Sequence, residues 1–150
     1  MDDDTTTYRG TVYPWHCDHM GHMNVMWYVG KFDEALWSLL TRFGLTPGYM
    51  KRQQRGMAAL EQKIQYHREL LAGDVVAVRS VVVEQREKVL LIRQTMLNVE
   101  DGHAAATMDI VACHIDTAAR RAVAFPEAVV EAVHDYQRRC ARPLSTLSGA

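Results

Sequence analysis

Residues 58–115 alternate apolar and polar side chains with a period of two, which is typical of half-buried strands rather than helices. The apolar face of the first run is predicted to carry Leu60, Ile64, Tyr66 and Leu70. Its polar face carries Glu61, Lys63, Gln65, His67 and Glu69. Later runs at residues 75–85, 90–99 and 104–115 are too rich in Val, Ile and Thr to form helices. The middle of the chain is therefore a succession of strands.

Turn-sized breaks at residues 72–74, 86–88 and 100–102 separate these strands, and the last break holds an Asp-Gly pair typical of hairpins. Parallel neighbours would need crossovers of a dozen or more residues. The sheet is therefore predicted to be antiparallel. Residues 8–13, ended by Pro14, form a first strand, and residues 121–125 are candidates for a short last one.

One long helix is predicted between the first strand and the remaining sheet. Asn24 is suited to its N-cap, while Gly44 and Pro47 supply a C-cap and a stop. Its apolar face repeats at helical spacing through Val29, Phe32, Leu36, Leu39, Leu40 and Phe43. Its other faces carry Lys31, Asp33, Glu34, Ser38 and Arg42. No other helix is predicted before a C-terminal amphipathic one, which Pro126 opens as its first residue and which presents Val129, Val130, Val133 and Tyr136.

These 150 residues are expected to form one domain, with a core at about 8–126, a helix at about 127–141 and a flexible tail at 142–150. A single long helix must lie across the sheet to bury its apolar face. It leaves part of the sheet open, so pairing with a second copy is expected.

Composition excludes several classes of partner. Seventeen basic and eighteen acidic side chains leave a net charge of −1, so neither nucleic acid nor an anionic membrane surface is an expected partner. No apolar stretch approaches the roughly 20 residues that cross a bilayer. Three widely spaced cysteines and an acidic N-terminus without a signal sequence favour the cytoplasm.

The residues best suited to chemistry lie in the loop at 15–24, just before the long helix. This loop holds His16, Cys17, Asp18, His19 and His22. Unpaired N–H groups at a helix N-terminus carry partial positive charge, which favours a carboxylate nearby. Spacing alone leaves two interpretations open: Asp18 only caps a turn, or it takes part in a reaction.

Two other readings of this loop are disfavoured. The histidines and Cys17 are suitable metal ligands, but they lack the paired spacing and distant third ligand of a zinc site. No metal is therefore predicted. Cys17 likewise lacks the surroundings of a hydrolase nucleophile, and most lone cysteines are small buried apolar residues.

Two motifs carry a resemblance to a known family. Asp18-x-x-Gly21-His22-x-Asn24, followed by Tyr28 and by residues 33–35, resembles the hot-dog-fold acyl-CoA thioesterases of the 4-hydroxybenzoyl-CoA thioesterase type. Ile64-x-Tyr66-x-Arg68-x-Leu70-x-x-Gly73-Asp74 resembles the first strand after the helix in those enzymes. The resemblance spans residues 8–125 and implies an α+β fold, in which a five- or six-stranded antiparallel sheet wraps around one long helix.

The resemblance also implies roles. Asp18 would be the nucleophile or the general base for water, and the backbone amide of Val25 would polarise the thioester carbonyl. Gly21, His22 and Asn24 would support the loop. In the family's pattern an aspartate often stands where this chain has His16, and an asparagine where it has Val25. A fixed backbone amide still suits the polarising role.

Further expectations follow from the same resemblance. A candidate acyl pocket holds Met23, Met26, Trp27 and Tyr28, and Glu61 is an alternative carboxylate. The expected reaction is hydrolysis of an acyl- or aroyl-CoA without any cofactor, in a homodimer or homotetramer with sites at the subunit interface. The alternatives are a non-catalytic acyl-binding or assembly module and a hot-dog enoyl-CoA hydratase, whose usual Asp/His signature on the helix is not seen here.

Overall fold

The computed structural model describes residues 4–141, so the predicted tail at 142–150 lies outside the described residues. The strands are β1 (Thr6–Thr11), β2 (Arg55–Tyr66), β3 (Val75–Gln85), β4 (Val89–Asn98), β5 (Ala104–Asp116) and β6 (Arg121–Ala122). The helices are α1 (Val25–Arg42), α2 (Pro47–Gln53) and α3 (Glu127–Cys140). The predicted order of a strand, a long helix, several strands and a last helix is confirmed.

The sheet is antiparallel at every pairing, in the order β1-β3-β4-β5-β2, with β6 added to β5. Short turns join β3 to β4 and β4 to β5, as the sequence predicts. The two strands that flank the helical region, β1 and β2, form the opposite edges of the main path. The long connection through α1 and α2 thus spans the full width of the sheet.

The core lies between α1 and one face of this sheet. From α1 it receives the buried side chains of Tyr28, Phe32, Ala35, Leu36, Leu39 and Leu40. From the sheet it receives Val76, Val78, Leu90, Ile92, Met96, Met108 and Ile110. Of the predicted inner face of α3, Val129, Val133 and Tyr136 are buried and Val130 is partly buried. The Tyr136 ring meets Phe43 edge to face at 5.4 Å. The two helices and the sheet therefore share one apolar interior.

Two predictions about the faces of α1 are wrong. Val29 is more than a third exposed, whereas Lys31 is buried. The buried stripe is centred on Phe32 and Leu39, so Val29 falls outside it and Lys31 lies at its margin. The Lys31 ammonium is held there because it donates to the Tyr8 hydroxyl at 3.0 Å and to the Thr11 carbonyl at 3.4 Å.

The sequence analysis also missed α2. Pro47 does follow the end of α1, but it is equally the first residue of α2, because a proline costs nothing where no N–H bond is needed. Thr46 caps this helix by accepting the Tyr49 N–H. Pro126 is the N-cap of α3 rather than its first residue. Within residues 4–141, no helix combines the length and apolarity that crossing a bilayer requires.

The predicted apolar face of β2 is not buried as a unit. Leu60 is 63% and Tyr66 49% exposed, whereas Leu70 is buried beyond the end of the strand. Leu60 is an extra residue in the pairing with β5, since Ala59 and Glu61 face successive partners. This bulge shifts the alternation, and the position of β2 at the sheet edge leaves most of both its faces uncovered.

Candidate active site

The loop before α1 is a tight reversal of the chain. The Asp18 N–H donates to the His22 carbonyl at 3.1 Å, and the Gly21 N–H donates to the Asp18 carbonyl at 3.0 Å. Gly21 has φ +84°, a left-handed conformation that a side chain disfavours. The glycine of the motif is thus explained by the turn, and the turn places Asp18 and Asn24 side by side.

Both oxygens of the Asp18 carboxylate accept hydrogen bonds. Oδ1 accepts the Met20 N–H at 2.8 Å, and Oδ2 accepts the Asn24 Nδ2–H at 2.8 Å. The capping role considered for Asp18 is therefore present in the structure. The Asn24 bond, and after it the Met20 bond, hold the pKa of Asp18 below its ordinary value. Asp18 is consequently a carboxylate at neutral pH.

Asn24 connects this carboxylate to the start of α1. Its Oδ1 accepts the Met26 N–H at 3.0 Å, which caps the helix as predicted. The N–H of Val25, the first residue of α1, has no acceptor among the described residues. The Val25 side chain is exposed. An ionised carboxylate and a free helix N-terminal donor thus lie on either side of one asparagine.

We expect the loss of the Asn24 amide to raise the pKa of Asp18, because the largest cause of its depression would be removed. In the wild type the carboxylate should titrate below the ordinary value of about 3.9, and stability gained from its hydrogen bonds should be lost as pH falls through that lower pKa. In Asn24→Ala the midpoint should move upward. Carbon NMR of the Asp18 carboxyl group measures it directly.

Two variants separate this effect from the loss of the helix cap. Asn24→Ser keeps a capping hydroxyl but not the amide donor, so it should raise the midpoint while retaining most of the stability. Thr46→Ala removes the equivalent cap of α2 and should leave the Asp18 midpoint unchanged. An Asp18 titration midpoint that is the same in Asn24→Ala, in Asn24→Ser and in Thr46→Ala would contradict the prediction.

A cleft of about 280 Å³ adjoins the start of α1. It is lined by His22, Met23, Val25, Tyr28, Tyr66, His67, Arg68 and Glu69. The two sides of the cleft are joined by the Met23 N–H, which donates to the Leu70 carbonyl at 2.7 Å. They are joined again by His22 Nδ1, which lies 3.1 Å from Glu69 Oε1. The segment after β2 is therefore part of the candidate site.

Comparison with known families agrees with this geometry. Residues 12–133 match the family model described as the thioesterase-like superfamily. The chain belongs to the thioesterase-like superfamily. Its antiparallel sheet and long helix are the hot-dog fold that the sequence resemblance implied, so that prediction is confirmed.

The individual proteins that this thioesterase-like chain resembles share less than a third of its sequence. It is 29% identical over 133 residues to an L-carnitine dehydrogenase/betainyl-CoA thioesterase of Agrobacterium fabrum, covering 89% of this chain and 27% of that protein. The chain thus spans about a quarter of that curated relative. It also resembles a Staphylococcus aureus protein solved in complex with CoA, with a TM-score of 0.86, 25% identity and coverage of 97% and 92% of the two chains.

A third comparison concerns the fold alone. A 1,4-dihydroxy-2-naphthoyl-CoA thioesterase from Synechocystis has a TM-score of 0.78 and 17% identity, over 87% of this chain and 96% of that one. The narrower likeness to the 4-hydroxybenzoyl-CoA type remains a prediction.

The structure brings together only part of the predicted acyl pocket of this thioesterase-like chain. Met23 and Tyr28 are buried and line the cleft beside Val25. Met26 is largely exposed, and Trp27 lines a different cleft, between α1 and β1. Neither belongs to the pocket beside His22, because successive residues of a helix point in different directions.

Glu61, the alternative carboxylate, is also remote from this cleft. It is exposed on β2 and lines a separate groove with Lys63 and Val83. Its position next to the β2 bulge fits a solvated strand residue. The structure therefore offers no support for Glu61 as a partner of the Val25 amide.

Sequence reasoning missed the residues on the far side of the cleft. The alternating pattern predicts Glu69 only as a residue on the polar face of a strand, whereas in the structure its carboxylate lies beside His22. The Tyr28 hydroxyl donates to the Arg68 carbonyl at 3.4 Å, and the Tyr28 and Tyr66 rings meet edge to face at 5.1 Å. The second family motif covers this segment, but its spacing along the chain carries no signal that it meets the Asp18 loop.

The histidines of the loop point to different environments. His16 Nδ1 accepts the Tyr13 N–H at 3.0 Å and its ring packs on Trp27, whereas His22 lies against Glu69. Within residues 4–141, no three His, Cys, Asp or Glu side chains are placed to share a metal ion. Metal independence stays a prediction, tested below.

Proposed function

We propose that this chain hydrolyses acyl-CoA thioesters, with Asp18 as the catalytic carboxylate. The observation that carries the proposal is the ionised Asp18, held by Asn24 beside a helix whose first N–H has no acceptor among the described residues. Thioester hydrolysis needs both a base or nucleophile and a donor for the carbonyl oxygen. Membership of the thioesterase-like superfamily supports this pairing.

In the proposed reaction the thioester carbonyl oxygen accepts the Val25 N–H, which stabilises the negative charge that develops there. Asp18 either removes a proton from the attacking water or attacks the carbonyl carbon itself. In both routes the carbon–sulfur bond breaks and the CoA thiolate gains a proton. Where Asp18 acts as the base, water adds to the carbonyl carbon directly; where Asp18 is the nucleophile, water then cleaves the acyl–aspartyl anhydride, which releases the free acid and restores the carboxylate. Asp18 is ionised at neutral pH, which is the form that either route requires.

The remaining motif residues would act on geometry. Gly21 permits the turn, and Asn24 holds both the carboxylate and the first turn of α1. His22, whose Nδ1 lies 3.1 Å from Glu69 Oε1, forms a wall of the cleft next to Val25. These are supporting roles for the proposed chemistry.

A panel of acyl-CoA thioesters with a free-thiol reagent tests the proposal. The panel should include betainyl-CoA and an aroyl-CoA, the classes named for the relatives. Thioester hydrolysis releases CoA thiol, whereas a hydratase consumes only an enoyl substrate without thiol release and a binding module gives neither reaction. Absence of thiol release across the panel would overturn the proposal.

We also propose that the active form is a homodimer or a dimer of dimers. One edge of β2 has no strand partner among the described residues, and Leu60 and Tyr66 are exposed along it. A long, uncovered edge strand invites pairing with another chain. A second copy related by a two-fold axis would pair with this edge strand and give a closed assembly.

Extended chelation should change neither the hydrolysis rate nor the melting temperature, because the ligand side chains of the Asp18 loop are not gathered around one point. Activity and thermal melting before and after dialysis against a chelator measure this. Elemental analysis of protein purified without added metal is the control. Stoichiometric zinc, with activity lost on its removal and regained on refilling, would refute the prediction.

A further inference from the structure

A second and larger cleft, of about 540 Å³, lies between α1 and β1, and none of its lining residues belongs to the cleft beside His22. Small-molecule sites in proteins usually have volumes of about 300 to 1,000 Å³. Lys31 and Glu34 of α1, together with His16, Trp15 and Trp27, are among its walls. Its chemistry differs from that of the proposed thioesterase site.

The most unusual wall residue is Lys31. Its side chain is only 4% exposed, and lysine is rarely buried without a carboxylate partner. Its two acceptors, the Tyr8 hydroxyl and the Thr11 carbonyl, are both neutral. No carboxylate lies within ion-pair distance among the described residues. Because an ammonium group has three donors, one of them remains available.

Tyr8 reaches this ammonium because residue 10 is glycine. A Cβ atom at Gly10 would clash with the Tyr8 hydroxyl, so any larger residue would displace it. The Lys31 Nζ also lies 5.4 Å from the centre of the Tyr8 ring. The position of the ammonium is therefore built into β1 as well as α1.

His16 supplies a second donor. Its Nδ1 accepts the Tyr13 N–H, so the proton of the neutral ring must be on Nε2. Nε2 has no hydrogen-bond partner among the described residues, and it is not among their buried unsatisfied atoms. It therefore reaches the accessible surface, and His16 lines this cleft.

The charges of Lys31 and Glu34 act on His16 in opposite directions. Burial, and then the Lys31 ammonium, lower the pKa of His16, while Glu34 acts in the opposite direction with a smaller effect. Glu34 is exposed on α1, where water screens its charge. At His16 the effect of the buried cation is therefore larger than that of the exposed anion.

The walls around these donors are aromatic. Tyr13 and Trp15 stack with ring centres 4.5 Å apart, and Trp27 packs on His16 at 4.5 Å. Trp15 lines the cleft and is 67% exposed. Flat apolar walls of this kind favour a planar ring in offset or edge-to-face contact.

We propose that this cleft is a binding site for a planar aromatic carboxylate, whose anionic oxygens accept from Lys31 and His16 while its ring lies against Trp15 and Trp27. A free carboxylic acid is also the class of product that the proposed hydrolysis would release. The proposal does not depend on Asp18, and it is tested without any thioester.

The full-length chain is titrated with benzoate, with its neutral analogue benzamide and with benzyltrimethylammonium, by calorimetry. Benzoate should bind with a stoichiometry of one per chain, and the neutral and cationic analogues at least about tenfold more weakly, since a charged hydrogen bond is lost. Indole N–H signals locate the ligand by NMR. Those of Trp15 and Trp27 should shift, and that of Trp37, which does not line the cleft, should not.

Variants assign the contacts. Lys31→Met keeps much of the packing volume. It should lower the affinity for benzoate at least about tenfold, so that benzoate no longer binds more tightly than benzamide. Trp15→Ala changes an exposed position that the fold does not need, and it should lower the affinity for both benzoate and benzamide. Trp37→Ala should lower neither affinity. Thermal melting of each variant checks folding.

Three results would overturn the inference: no saturable binding of benzoate, equal or tighter binding of the neutral or cationic analogue, or shifts confined to signals other than those of Trp15 and Trp27. If Lys31→Met does not fold, the analogue comparison and Trp15→Ala decide alone. Because no thioester is present, failure here leaves the hydrolase proposal intact, and loss of hydrolysis in an Asp18 variant leaves this one intact.

Discussion

Replacing Asp18 with asparagine should lower the turnover number for a saturating acyl-CoA by at least about a thousandfold, within the range expected for loss of a general base or nucleophile. The amide keeps the size of the side chain but can neither take up a proton nor attack a carbonyl. Release of CoA thiol under saturating substrate measures the effect. Retention of most activity would refute the assignment of Asp18.

The structure predicts which local contacts this variant keeps. The new Oδ1 can still accept the Met20 N–H, so the turn is retained. The new Nδ2 would face the Asn24 amide donor, so this one hydrogen bond is lost. A modest fall in melting temperature is therefore expected, and it must be measured beside the activity.

Two matched variants show whether the loss reflects chemistry. Asp101 accepts the N–H two residues ahead, as Asp18 does, so Asp101→Asn should cost stability without a comparable loss of turnover. Glu61→Gln tests the alternative carboxylate and should leave turnover nearly unchanged. His22→Ala should cost about tenfold to a hundredfold, as expected for a positioning group.

Assembly and activity should be lost together. Light scattering at micromolar concentration should give the mass of a dimer or a larger multiple, because the long edge of β2 needs a strand partner. The cleft beside His22 is lined by Tyr66 at the end of this strand. A partner at that edge would therefore lie next to the proposed site.

Leu60→Lys places a charge on the exposed edge and should give monomers that do not hydrolyse acyl-CoA. The side chain is largely exposed within one chain, so the isolated fold should tolerate it. Leu71→Lys changes a similarly exposed leucine outside the strand and serves as the control. A fully active monomer of either the wild type or Leu60→Lys would contradict the shared-site proposal.

Local patterns were sufficient for much of the fold. The period-two runs and their short turns predicted β3, β4 and β5 closely, since hairpins depend on residues that are near in sequence. Asn24 was identified as the N-cap of α1 for the same reason. The Asp18 turn likewise depends on contacts within six residues, since Asp18 accepts hydrogen bonds from Met20 and Asn24.

Contacts between segments that are distant in sequence could not be predicted from local patterns. The Tyr8 hydroxyl draws Lys31 into the interior, against the polar pattern of the helix, because the two meet only when β1 packs on α1. The bulge at Leu60 undoes the predicted alternation of β2.

The sequence by itself determined the antiparallel strands, the long helix and the Asp18 turn, because each depends on neighbouring residues. Only the tertiary structure decided that β2 is an exposed edge, that Glu69 meets His22 and that Lys31 lies buried among aromatic rings. The His22–Glu69 pair and the contact of Lys31 with Tyr8 each join residues more than twenty positions apart. The free energy that stabilises these contacts comes from burial and pairing that exist only in the folded chain.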